Sequence, residues 1–218
     1  MILRIAINGY GRIGRNIVRA LYENPRYESS IEIVAINDLA SFEAMAHLTQ
    51  FDSTHGRFDR PVVLQGDKLC INEDQIQLLS IADPTMLPWR ALAVDVVLEC
   101  SGSFSDRGTA QQHITSGAKR VLFSQPAETS VDATIVYGVN HQTLDGLETI
   151  ISNASCTTNC VVPVIKVLND YFGVDGGVIT TIHSAMNDQP VIDAYHHTDL
   201  RKTRGSIQSI IPVETDLA

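Results

Sequence analysis

The sequence predicts an α/β fold built on a mostly parallel sheet. Three observations carry that reading. An apolar run at residues 2–7 leads into the turn Gly9-Tyr10-Gly11-Arg12-Ile13-Gly14, followed by apolar residues at helical spacing. A second apolar run, residues 31–36, ends on Asn37-Asp38. A third, residues 94–99, is almost continuously apolar, as strands covered on both faces tend to be.

Ile13, Ile17, Val18 and Leu21 carry the first helix to about Tyr22. Strand, glycine turn and helix in that order are the setting a dinucleotide-binding, Rossmann-type turn requires. Gly9 permits the tight turn, Gly11 lets the backbone approach a pyrophosphate, and Gly14 lets the helix lie close to the strand. Helix N–H groups then face the phosphates. Asp38 lies 24 residues beyond Gly14, at the tip of the second strand. A carboxylate there binds a ribose 2′-hydroxyl and repels a 2′-phosphate, so NAD is expected over NADP. Its competing role is to cap the helix that starts near Ser41.

Residues 51–80 read as loop and antiparallel hairpin, with strands near 61–64, 68–71 and 75–79. His55, in the polar part of that loop, is expected to make a structural hydrogen bond. Cys100-Ser101-Gly102 follow the third parallel strand at its carboxyl end, where cofactors sit in open α/β sheets. A helix with Ala110, His113 and Ile114 leads to a strand at 119–123, which ends at Ser124. Residues 149–151 are strand-like, and Val161, Val162, Ile165, Leu168, Tyr171 and Phe172 have helical spacing. Gly176-Gly177 opens a predicted strand at 178–183.

Bulk properties exclude several classes. A hydrophobic content of 44% with 19% charged residues describes a folded globular chain. A net charge of −9 argues against nucleic acid as a partner, since phosphate contacts need surplus Lys and Arg. No apolar run approaches the ~18 residues that span a bilayer, and the N-terminus lacks the features of a signal peptide. Four cysteines without a disulfide framework fit a reducing compartment, and the cytoplasm is expected. No metal is called for.

The chemistry is expected at Ser152-Asn153-Ala154-Ser155-Cys156-Thr157-Thr158-Asn159-Cys160, between a strand and a helix. The unpaired N–H groups of a helix start stabilise a thiolate, and small hydroxyl-bearing neighbours leave room for substrate. Cys156 is read as a nucleophile; Cys160, one turn further on, is read as structural.

That stretch, with Asn8-Gly9-Tyr10-Gly11-Arg12-Ile13-Gly14, resembles the glyceraldehyde-3-phosphate dehydrogenase family, and the resemblance runs along the whole chain. It implies an NAD-binding domain at 1–155 and the incomplete start of an α+β catalytic domain at 156–218. The chain would then be a fragment with an exposed sheet edge. It implies cofactor contacts from Asn8, Gly9, Gly11, Arg12, Ile13, Asp38, Ser101, Gly102, Ser124 and Asn187. Ser155, Cys156, Thr157, Arg201, Lys202, Thr215 and Asp216 would meet a small phosphorylated aldehyde. His183 would pair with the thiolate and accept a proton, as an imidazole near neutral pKa is suited to do. A homotetramer is implied for the full-length protein.

Three departures from the family pattern matter. Ile81-Ala82-Asp83-Pro84 lacks an arginine found in many members, which removes an adenine-side contact. Met186 stands where glyceraldehyde-3-phosphate enzymes use a phosphate-binding threonine, and Asp216 stands where a glycine follows Thr215. A carboxylate beside a phosphate site repels it. The expected reaction is therefore that of members acting on a longer sugar phosphate: erythrose 4-phosphate to 4-phosphoerythronate, through a cysteine thiohemiacetal and thioester. A phosphorylating glyceraldehyde-3-phosphate dehydrogenase is the alternative, and a dinucleotide-binding module without turnover is the second.

Overall fold

The computed structural model describes residues 2–213, which divide into two compact units at Pro163/Val164. In the first unit β1 (Leu3–Asn8) enters α1 (Arg12–Tyr22) through the glycine turn. The short α2 (Pro25–Glu28) leads to β2 (Ile31–Asn37), and α3 (Phe42–Gln50) starts on a Ser41 cap whose side chain accepts from the Ala44 N–H at 3.2 Å. A two-stranded ribbon comes next, β3 (Phe51–Asp52) and β4 (Gly56–Arg57). Then come β5 (Val62–Gln65), β6 (Lys68–Ile71), β7 (Asp74–Leu79) and β8 (Val96–Glu99). The unit continues with α4 (Arg107–Thr115), β9 (Arg120–Phe123), β10 (Ala133–Thr134) and β11 (Ile150–Ser152), and α5 (Cys156–Phe172) begins in it.

The main sheet has the order β10-β11-β9-β8-β1-β2-β7-β6-β5. It is parallel from β10 to β7, and β6 and β5 complete it as an antiparallel edge. From β1 the chain builds outward on one side through β2 and returns to the other side with β8. That reversal opens a crevice at the carboxyl ends of β1 and β8. The hairpin expected near 61–79 is present, and its last strand also pairs in parallel with β2.

Alternation along the strands builds a core on both faces. Ile5, Ile7, Ile33 and Ile36 pack with Val18, Leu21 and Met45 of the helices on one side. Ala6, Val34, Val97 and Val121 pack with Trp89 and Ala110 on the other. A fully buried isoleucine is worth about 2–5 kcal/mol over alanine, so these rows hold the strand ends in place. Arg19 is a buried cation in α1, a position that helical periodicity alone assigns to the surface. Its guanidinium donates to the Gly56 and His55 carbonyls and lies over the Phe58 ring, which fastens the β3–β4 loop to the helix.

The second unit has little regular structure. Gly173, at φ +75°, ends α5, and Leu200–Thr203 form a 3-10 turn. The strand predicted at residues 178–183 is not formed. A strand exists through its ladder, and among the described residues no chain pairs with this segment, leaving Val178 and Ile182 95% and 89% exposed. The loop beyond is tied by backbone bonds from Ala194 to Thr203 and from Ser206 to Pro190.

Candidate active site

The ends of five strands stand in one register row. Asn8 is level with Asn37 and Glu99, Glu99 with Phe123, and Phe123 with Ser152. Just past these ends stand the residues singled out by sequence: Gly9, Asp38, Ser101, Ser124 and the turn into Cys156. The first unit therefore brings these groups to a single sheet edge.

The three turn glycines differ in what surrounds them. A Cβ on Gly9, whose φ is +92°, would lie 2.3 Å from the Ser101 nitrogen; one on Gly14 would lie 2.4 Å from the Gly9 carbonyl oxygen. Both positions exclude a side chain because backbone meets backbone there. Gly11 has nothing within 4 Å of such an atom, so it faces open space. No side chain caps α1 and no acid stands in its first turn, which leaves its start as an anion-binding end beside exposed Arg12 and Ile13. That open cradle fits a dinucleotide pyrophosphate. Asp38 folds back over the turn, accepting from the Tyr10 N–H at 2.5 Å and the Ala40 N–H at 2.9 Å. Arg12 lies 3.6 Å from Asp52.

Beneath the crevice runs a buried polar chain that the sequence did not reveal. Trp89 donates to His113 Nδ1 at 3.0 Å, and His113 Nε2 meets Glu99 Oε2 at 3.2 Å. Asn8 donates to the same oxygen at 2.6 Å. Ser101 donates to Oε1 through its N–H at 2.8 Å and its hydroxyl at 2.5 Å. Asn37 donates to Asn8 at 2.8 Å and bonds both backbone groups of Ile81. Burial pushes the Glu99 carboxyl upward, but the bonds from His113, Ser101 and Asn8 outweigh it and leave the group below its ordinary pKa. Strand-end Asn and Glu ordinarily read as boundary residues; an acid closing an apolar strand was the one available signal.

The cysteine turn is tied from several sides. Asn153 N–H donates to the Phe123 carbonyl, and Ser152 Oγ accepts from the Ala154 N–H while donating to Gln125 O. Ala154 is buried in the left-handed region at φ +57°, a conformation costly for a residue with a Cβ. Ser155 caps α5, its hydroxyl accepting from the Thr158 N–H at 2.9 Å, and Asn159 donates to the Asn153 and Ser155 carbonyls. Cys156 is the first residue of α5 and is exposed; Thr157 beside it is half-buried. Cys100 is of the opposite kind: burial pushes its thiol up to about 11.

In the second unit His183 is exposed, its Nδ1 2.7 Å from the Ser184 carbonyl. Asn187 is exposed in a turn. Arg201 and Lys202 are engaged by carboxylates, Arg201 with Asp199 at 2.9 Å and Lys202 with Asp188 at 2.6 Å. Thr215 and Asp216 lie outside the described residues. No helix among the described residues is long and apolar enough to cross a membrane.

Two family models match the chain. Residues 3–107 match "Glyceraldehyde 3-phosphate dehydrogenase, NAD binding domain", and residues 155–218 match "Glyceraldehyde 3-phosphate dehydrogenase, C-terminal domain". Together they take in well over half of the sequence. With a mostly parallel sheet and an open glycine turn at its reversal point, the first unit is a Rossmann-type NAD-binding domain. The chain belongs to the glyceraldehyde-3-phosphate dehydrogenase family of NAD-dependent dehydrogenases.

Proposed function

We propose that the protein oxidises a phosphorylated aldehyde through Cys156, with erythrose 4-phosphate as the substrate. One observation carries the reading. An exposed cysteine opens a capped helix on the same sheet edge as the glycine turn, Ser101 and Ser124.

The cysteine's sulfur attacks the aldehyde carbon, and the carbonyl electron pair moves to oxygen, where the Cys156 N–H and His183 stabilise it. NAD, when bound, supplies the acceptor for the hydride that this carbon then gives up. Asn8, Gly9, Gly11, Arg12, Ile13, Asp38, Ser101, Gly102, Ser124 and Asn187 are the residues assigned to hold it. The resulting thioester is opened by water: an oxygen–carbon bond forms, the carbon–sulfur bond breaks, and His183 takes the proton. Ser155 and Thr157 frame the reacting carbon, and Arg201, Lys202 and Thr215 receive the substrate phosphate.

Met186, which has no hydroxyl donor, and Asp216 both weaken a site for inorganic phosphate. Hydrolysis of the thioester is the consequence, and with it the preference for the four-carbon sugar. The family description itself favours the second reading, a phosphorylating enzyme acting on glyceraldehyde 3-phosphate. NADH formation from both aldehydes, with and without phosphate, separates them. The expected result is faster turnover of erythrose 4-phosphate, independent of phosphate. Equal rates on glyceraldehyde 3-phosphate with strict phosphate dependence overturn it. Assembly as a homotetramer in the cytoplasm, and a domain division at 155/156, belong to the same proposal.

A further inference from the structure

Glu99 has no part in the chemistry above, yet it is fully buried beneath the cofactor crevice. Donor and acceptor roles along its chain are set from both ends. Trp89 Nε1–H can only donate, so His113 Nδ1 is an acceptor and the ring proton sits on Nε2, facing Glu99. At the other end the Ile81 N–H can only donate, which turns Asn37 Oδ1 toward it and Asn37 Nδ2 toward Asn8 Oδ1. Asn8 Nδ2 is then left to face Glu99. With the Ser101 N–H and hydroxyl, four groups meet the two oxygens, three of them fixed as donors and the hydroxyl free to donate to a carboxylate. Those bonds hold the Glu99 carboxyl below its ordinary range, so it is a carboxylate.

A buried anion without a cation is a poor way to gain stability, because desolvation offsets its bonds. Its effect is geometric. One oxygen draws the Ser101 backbone inward, and the other holds Asn8, the residue from which the glycine turn departs. The two turns meet so closely that a Cβ on Gly9 would lie 2.4 Å from the Ser101 Cα. We propose that Glu99 is a positioning residue of the cofactor site: its carboxylate clamps the Asn8–Gly9 turn to the Ser101–Gly102 turn, and so preforms the surface on which NAD lies. This rests on the assignment of those turns to the cofactor.

The test is calorimetric titration of the full chain with NAD, without aldehyde, on Glu99→Gln, His113→Leu and His113→Gln. Glutamine at 99 turns an N–H₂ group toward donors, and NAD affinity is expected to fall about ten-fold or more, as for loss of a bond to a charged group. His113→Leu should weaken NAD in the same direction. His113→Gln keeps a donor for Glu99 and an acceptor for Trp89 and should restore most of that loss. In steady state the change should fall on the KM for NAD, with the KM for aldehyde within about two-fold of wild type. Variants that melt earlier yet bind NAD within about two-fold of wild type below their melting temperatures would reduce Glu99 to a packing role and overturn the proposal. If Glu99→Gln does not fold, the two His113 variants decide: equal NAD affinity in both refutes the clamp. A wild-type chain that fails to bind NAD defeats the cofactor assignment itself, which is a different result.

Discussion

The strand-end row of the first unit and the segment at residues 174–213 obey the same sequence rules with opposite outcomes. Ile7 and Ile182 are both isoleucines in strand-like runs, yet Ile7 is fully buried and Ile182 is 89% exposed. Glu99 is fully buried and held by four donors, two of them from buried Asn8 and His113, whereas Lys202 and Arg201 meet their carboxylates at the surface. Local pattern states what a segment can become; neighbours decide whether it does. In the first unit every strand has a partner, so the pattern is realised.

Stability gives the widest separation between the two regions. Ile7→Ala is expected to cost about 2–5 kcal/mol in denaturant unfolding, against a change within about 0.5 kcal/mol for Ile182→Ala. Comparable losses at both positions would dissolve the contrast.

Acid titration sharpens it. Glu99 is held below its ordinary pKa, and so is Asp132, principally by Arg107 and by the Thr149 and Ile150 N–H groups. For a depressed carboxyl the stabilisation is complete above the unfolded value, about 4.3 for Glu, and is lost as pH falls through the folded value. The stability these two carboxyls contribute should therefore be fully present above about pH 4.3 and be lost below it. Trp89, the single tryptophan, reports this directly by fluorescence because it sits in the same polar chain. Stability unchanged between about pH 5 and about pH 2 would contradict the carboxylate assigned at Glu99.

The smallest effect on folding accompanies a specific loss of binding at Gly11. Nothing stands within 4 Å of an added methyl there, so Gly11→Ala should alter stability by no more than about 0.5 kcal/mol. NAD titration should nevertheless weaken, because the methyl occupies the approach to the helix start. Unchanged affinity would remove Gly11 from the site.

Much of the first unit was legible in the sequence because period and punctuation agree there. Gly9 and Gly14 marked close backbone approaches, and the strand at residues 94–99 announced itself by its apolar run. The polar chain was not legible, since Asn8, Asn37, Glu99 and His113 are scattered over 106 positions and meet only once the sheet is assembled. Arg19 escaped for a similar reason: its partners are carbonyls of a loop 36 and 37 residues away. The run at 178–183 is rich in β-branched residues, as strands are, but sequence does not state whether a neighbouring chain is there to receive its hydrogen bonds. Arg201 and Lys202 read as a basic stretch because a cluster of like charge does not announce its counter-ions, here Asp199 and Asp188.

The level row of strand ends also constrains how such a protein is free to vary. Adding or removing one residue in β8 or β9 shifts every later group on that strand by about 3.3 Å and turns its side chains to the opposite face. Ser101 or Ser124 would then be out of step with Gly9 and Cys156. Length changes are absorbed more safely at the far antiparallel hairpin, β5–β6. New substrate preferences are expected to arise by exchanging side chains along a fixed ruler rather than by lengthening it.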